Sequence, residues 1–121
     1  MKELDTIQTQ EKLNRVFAID EKGNGGANHK YMVVMDRGLP EPKEAIIEFQ
    51  NGARAIEGSI EGVLDVDLLE IVRHRMQCFQ AGPFASKYNE HALKHIEEAL
   101  HCMNARVEDR IKRQVLGTNN K

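Results

Sequence analysis

"DVDLLEIVRHRMQCFQAGPFASKYNEHALKHIEEALHCMNARVEDRIKR", residues 65–113, decides the fold. Its apolar residues recur at spacings of three and four on either side of one break. Before the break, Leu68, Leu69, Val72, Met76 and Phe79 line a single helical face, and Asp65 or Asp67 can cap its start. "QAGPF" ends that helix, because Gly82 suits a left-handed stop and Pro83 cannot continue it. From about Phe84 to Arg113 a second stripe runs through Leu93, Ile96, Leu100, Met103, Val107 and Ile111. Two helices joined by so short a connection are antiparallel neighbours.

Upstream the period changes from helix to strand. "RVFAID" (Arg15 to Asp20) reads as a short strand, "EKGNGGANH" as a glycine-rich loop and "KYMVVM" as a strand buried on at least one face. "RGLPEPKE" is a connection, since its two prolines suit neither a helix nor a central strand. "AIIEFQ" and "ARAIEG" alternate on either side of Asn51-Gly52, the favoured pair for a type I′ hairpin turn. These runs predict a four-stranded antiparallel sheet from about Arg15 to Ser59, preceded by a frayed helix or arm. The expected class is α+β: a small N-terminal antiparallel sheet followed by a C-terminal antiparallel helical hairpin. One domain is expected over residues 1–121, with an arm (1–14), a sheet lobe (15–62), the hairpin (65–113) and a tail (114–121).

Composition narrows the function classes. Hydrophobic residues make up 40% and charged residues 30%, which is ordinary for a globular chain. No apolar run approaches the roughly 18 residues that cross a bilayer, and "MKELDTIQTQEK" lacks the apolar core of a secretory signal. A cytoplasmic protein without a membrane partner is expected. Cys78 and Cys102 then read as free thiols. The net charge of −2 argues against a general binder of nucleic-acid polymers. It is unevenly spread, however: residues 106–121 hold five cations and two anions.

"RVEDRIKR" (Arg106 to Arg113) concentrates that positive charge. Arg106 and Arg110 lie four apart, about 40° around a helix, so their forks can converge on phosphate oxygens. Arg113 follows one turn later. Equally, a helix C-terminus welcomes cations whatever they bind, and spacing alone leaves both readings open. Opposite the apolar seam of the same helix, His91, His95, Glu98 and Cys102 share a stripe that spans roughly 16 Å, so only His91 and His95 can reach one metal. A polar face or a subunit contact explains the stripe as well, and no metal ligand set or cofactor is assigned. "GNGGA" lacks the Lys-Ser/Thr and the following helix of a phosphate loop. No nucleophile stands beside a base, so the expectation is a non-enzyme.

The run from "IIEFQNG" through "LLEIVRHR", "FQAGPFA" and "ALKHIEEALH" to "R-x₃-R-x₂-R" and "GT" resembles the phage Thoeris anti-defence family. The likeness covers roughly Ile46 to Thr118, and "GG-x-NHKY" is the recognisable piece further upstream. That family shares its helical hairpin with anti-CBASS sponges. The resemblance implies sequestration, without degradation, of cyclic ADP-ribose-type immune signals, notably the glycocyclic form made by TIR-domain enzymes, within the infected host. Some members form hexamers and take up cyclic trinucleotides at separate sites. Carried over by position, Phe79 stacks on the adenine, Asn89 makes polar contacts, and Arg106 and Arg110 hold the pyrophosphate. Arg54 and Arg113 are second-tier ligands for phosphate or for a second molecule.

Two departures stand out. "SKYNE" replaces the family's Cys and acidic-asparagine stretch, and "RQVLGT" replaces "RGVEGT", with Gln114 and Leu116 in place of a glycine and an acid. A sponge needs an aromatic on the base, neutralised phosphates and no general base at the scissile bonds. One hairpin offers only a shallow groove, so a homodimer or higher homo-oligomer is expected. The competing expectation is a metal-dependent nucleotide hydrolase using His91 and His95.

Overall fold

A computed structural model describes residues 1–38 and 40–121. The class is α+β, a four-stranded antiparallel sheet followed by two helices. The chain divides into two compact units, residues 1–52 with 58–63, and residues 53–57 with 64–121.

In the first unit the strands are β1 (Lys2–Glu3), β2 (Arg15–Ala18), β3 (Lys30–Met35) and β4 (Lys43–Glu48), neighbours in that order. Phe17 pairs with Met32 and Val33 with both Val16 and Ala45, and Phe17 and Ala18 are the buried apolar residues of this sheet. Asp20 fixes the glycine-rich loop between β2 and β3, accepting from Asn28 Nδ2 at 3.1 Å and from the His29 amide at 3.0 Å. The stretch from Arg37 to Glu44, read as a connection from its prolines, includes Leu39, which lies outside the described residues.

Two sheet expectations are corrected. The fourth strand is not "ARAIEG" but Lys2–Glu3, from the segment read as a frayed arm. Asn51-Gly52 does not form a type I′ turn, which needs a positive φ at both residues: Gly52 has φ +97°, whereas Asn51 is extended and paired with Ile60. Residues beyond Gly52 form turns, and the chain returns through Ile60 and Val63, the latter bridging Phe49 in parallel. Gly62 permits this return, since a Cβ there would sit 2.5 Å from the Phe49 carbonyl carbon.

The second unit is the helical hairpin, α1 (Asp65–Gln80) and α2 (Lys87–Lys112). Asp67 caps α1 by accepting from the Leu64 amide at 2.8 Å. Ser86 caps α2, its Oγ accepting from the Asn89 amide at 3.1 Å, so this helix begins three residues after Phe84. Gly82 is not left-handed; its lack of a Cβ matters because one would approach the Cys78 carbonyl to 3.3 Å. Arg73 and Glu97 tie the two helices together at 3.0 Å. Most of the expected stripe is half-buried, but Val72 and Ile111 are exposed, and neither helix has a fully buried apolar side chain. No helix among the described residues is long and apolar enough to cross a membrane.

Candidate functional site

The turn end of the hairpin is built from side chains that grip backbone. The Gln80 amide donates to the Ser86 carbonyl at 3.1 Å and accepts from the Ser86 amide at 3.0 Å, closing the 81–86 connection like a clamp. Half-buried Phe79 sits one residue before it, and the Arg75 guanidinium lies 5.4 Å from the Phe79 ring centroid. Asn89 Nδ2 donates to the Phe84 carbonyl at 3.4 Å. Phe79 and Asn89 therefore belong to one rigid corner. Sequence reasoning missed Gln80, Ser86 and Arg75. The four-residue spacing of Arg75 and Phe79 was the available signal for the last of these.

The arginines occupy the far end of α2. Arg106 is exposed, with no hydrogen bond or ion pair among the described residues. Arg110, by contrast, is only 7% exposed. Its Nη2 donates to the carbonyls of Val115 at 2.9 Å and Thr118 at 3.1 Å, and no carboxylate lies within 4.0 Å among the described residues. Arg113 is held by Asp109 at 3.1 Å and by the Lys121 carbonyl. The chain end is shaped by a Schellman closure: Val115 N bonds the Arg110 carbonyl at 3.0 Å, and Gln114 N that of Ile111. Gln114 takes the left-handed position, with φ +58°. Gly117, at φ +78°, accepts from the Ala55 amide at 2.7 Å, which brings the segment bearing exposed Arg54 into the same unit.

Four of the six expected ligand residues thus share an end of the hairpin, whereas Phe79 and Asn89 lie at the other. From Asn89 to Arg106 is 17 residues of continuous helix, about 25 Å at 1.5 Å per residue. One nucleotide-sized molecule does not touch both groups on one chain.

The histidine stripe does not assemble. His95 faces Glu98 at 3.4 Å, with both side chains largely in solvent, and no group of three or more His, Cys, Asp or Glu side chains gathers as a metal site among the described residues.

Comparison with known proteins agrees with this architecture. A family model described as "Acb2/Tad1, hairpin domain" matches residues 41–108, more than half of the chain. A protein of Bacillus phage SBSphiJ7 named "Thoeris anti-defense 1" is 36% identical over 99 residues, covering 82% of this chain. The match spans 66% of that relative's own length, a little under two thirds. Both fit the resemblance read from "FQNG", "FQAGPFA" and the spaced arginines. The chain belongs to the Acb2/Tad1 hairpin-domain family, in which it is similar to a Thoeris anti-defence protein.

Proposed function

We propose that the protein captures a small nucleotide signal of the cyclic ADP-ribose type, glycocyclic ADP-ribose being the leading candidate. It holds the signal intact, and so blocks Thoeris defence in the infected host. The observation that carries this reading is Arg110. A guanidinium taken out of water with carbonyl partners but no carboxylate retains an uncompensated charge. A pyrophosphate diester carries two anionic oxygens that suit the donor fork of a guanidinium, and exposed Arg106 stands one turn away on the same side.

The distance between the two ends adds an oligomeric condition. If Phe79 stacks on the base while Arg106 and Arg110 hold the phosphates, the two groups come from different copies whose hairpins run antiparallel. Such an arrangement is what a two-fold dimer of hairpins provides. The helical unit favours it on other grounds. Phe84 is 74% exposed and Tyr88 87%, large side chains beside the aromatic corner that a partner would cover. Arg54 and Arg113 fit the outer edge of that site, or a separate site for a cyclic trinucleotide.

Incubation with glycocyclic ADP-ribose followed by heat denaturation should return the ligand chemically unchanged, in an amount stoichiometric with protein. Progressive consumption of excess ligand would overturn the reading in favour of a hydrolase, and loss of that consumption on adding a chelator would mark the hydrolase as metal-dependent.

A further inference from the structure

We propose that His74 and Cys78 on α1 form a two-ligand site for a soft or borderline divalent cation of the zinc class. The two residues are four apart, so they stand one turn above each other on one side of the helix. Both are exposed, and Cys78 is a free cysteine. Cys78 Sγ lies 3.9 Å from His74 Nε2.

That separation is the central observation. With a zinc–sulfur bond of about 2.3 Å and a zinc–nitrogen bond of about 2.05 Å, a tetrahedral angle puts the two donors about 3.6 Å apart. The pair is already close to this bite, and a small side-chain rotation supplies the rest. Neither group is committed elsewhere among the described residues. Glu70, one turn before His74, is paired with Arg73 at 3.5 Å. The other histidine with a partner, His95, faces a carboxylate rather than a thiol. Thiolate plus imidazole selects zinc, cobalt or cadmium over magnesium and calcium, which prefer oxygen donors.

Binding replaces the thiol proton. The S–H bond breaks, the proton leaves to solvent, and the sulfur lone pair and the Nε2 lone pair each form a bond to the cation. The imidazole stays neutral, with its remaining proton on Nδ1, and water completes the coordination sphere. The site does not depend on the nucleotide reading, because neither residue is among the proposed ligand contacts.

The test uses the full chain, reduced and stripped with a chelator, titrated with Co²⁺. A thiolate-to-cobalt charge-transfer band should saturate at one equivalent per chain and be displaced by Zn²⁺ but not by Mg²⁺. Cys78→Ser should abolish the band, His74→Gln should weaken binding about ten-fold or more, and Cys102→Ser should leave both unchanged. Circular dichroism confirms that each variant keeps its helices. Zn²⁺ should also slow alkylation of Cys78 relative to Cys102, read by peptide mass. Absence of the band, its survival in Cys78→Ser, full affinity in His74→Gln, or equal alkylation of the two cysteines would each overturn the proposal.

Discussion

Arg106 and Arg110 are indistinguishable by spacing, charge and helix position, yet the fold uses them differently. Arg106 projects into solvent, whereas Arg110 is buried and anchors the carbonyls of Val115 and Thr118. Periodicity reports the side of a helix a residue occupies but not what the chain beyond the helix lays over it, so this difference was not legible in the sequence. Substitution of the two arginines should therefore affect folding differently. Arg106→Ala should weaken nucleotide binding by about 1.5–3 kcal/mol and change stability by less than about 0.5 kcal/mol. Arg110→Ala should cost a similar amount of binding and also about 1–3 kcal/mol of stability, since it removes the two charge-assisted hydrogen bonds that hold the 115–118 turn against the helix. Calorimetric titration and urea denaturation of the two variants separate these effects. Gln114 was legible as a departure from the family's glycine, and the structure supplies the consequence. A side chain at φ +58° carries a left-handed penalty of roughly 1–2 kcal/mol, partly offset by the greater unfolded-state entropy of glycine. Gln114→Gly should raise stability by about 0.5–1 kcal/mol in the same urea series.

At the scale of elements, the helices and three of the four strands were readable and the remaining strand was not. Each helix repeats its period over four or more turns, and an amphipathic signal of that length survives local irregularity. The pair Asn51-Gly52 misled because turn preference is local, while the chain's return through Ile60 and Val63 is set by pairing with Asn51 and Phe49. Strand β1 left no pattern at all, as two polar residues carry no alternation. It is held instead by ionic contacts: Glu3 accepts from Arg15 at 2.7 Å and from Lys12 at 3.2 Å. Hydrogen bonds from Arg15 and then Lys12 lower the Glu3 carboxyl from 4.5 to about 2. A carboxyl whose pKa is lower in the folded chain contributes stability above its unfolded value and loses it as pH falls through the folded one. Docking of β1 should therefore weaken between about pH 4.5 and 2 and be weakened at neutral pH by Glu3→Gln. Amide exchange at Leu4, whose N–H bonds the Val16 carbonyl at 2.8 Å, reports both. Loss of protection in that window for wild type but not for Glu3→Gln is the expected pattern; parallel behaviour of the two would assign it to another group.

For the molecule as a whole, the decisive quantity is the length of α2. A helix of 26 residues separates the aromatic corner from the arginine end by more than any single nucleotide spans, so under the proposed assignment each copy would carry two halves of different sites. Complementation between variants is the expected outcome. Phe79→Ala should abolish capture through the base, and Arg106→Ala combined with Arg110→Lys should abolish it through the phosphates, each when present in every subunit. Mixed under conditions that exchange subunits, half of the dimers become heterodimers. Each heterodimer holds one site with both intact halves and one with neither. The mixture should then recover about a quarter of the wild-type ligand capacity at unchanged affinity, the ratio that follows from random pairing across a two-fold axis. Equilibrium dialysis with purified ligand measures it. A mixture no better than its parents, from proteins shown to exchange subunits, would mean that each site is built within one chain, and Phe79 would then have to be removed from the assignment.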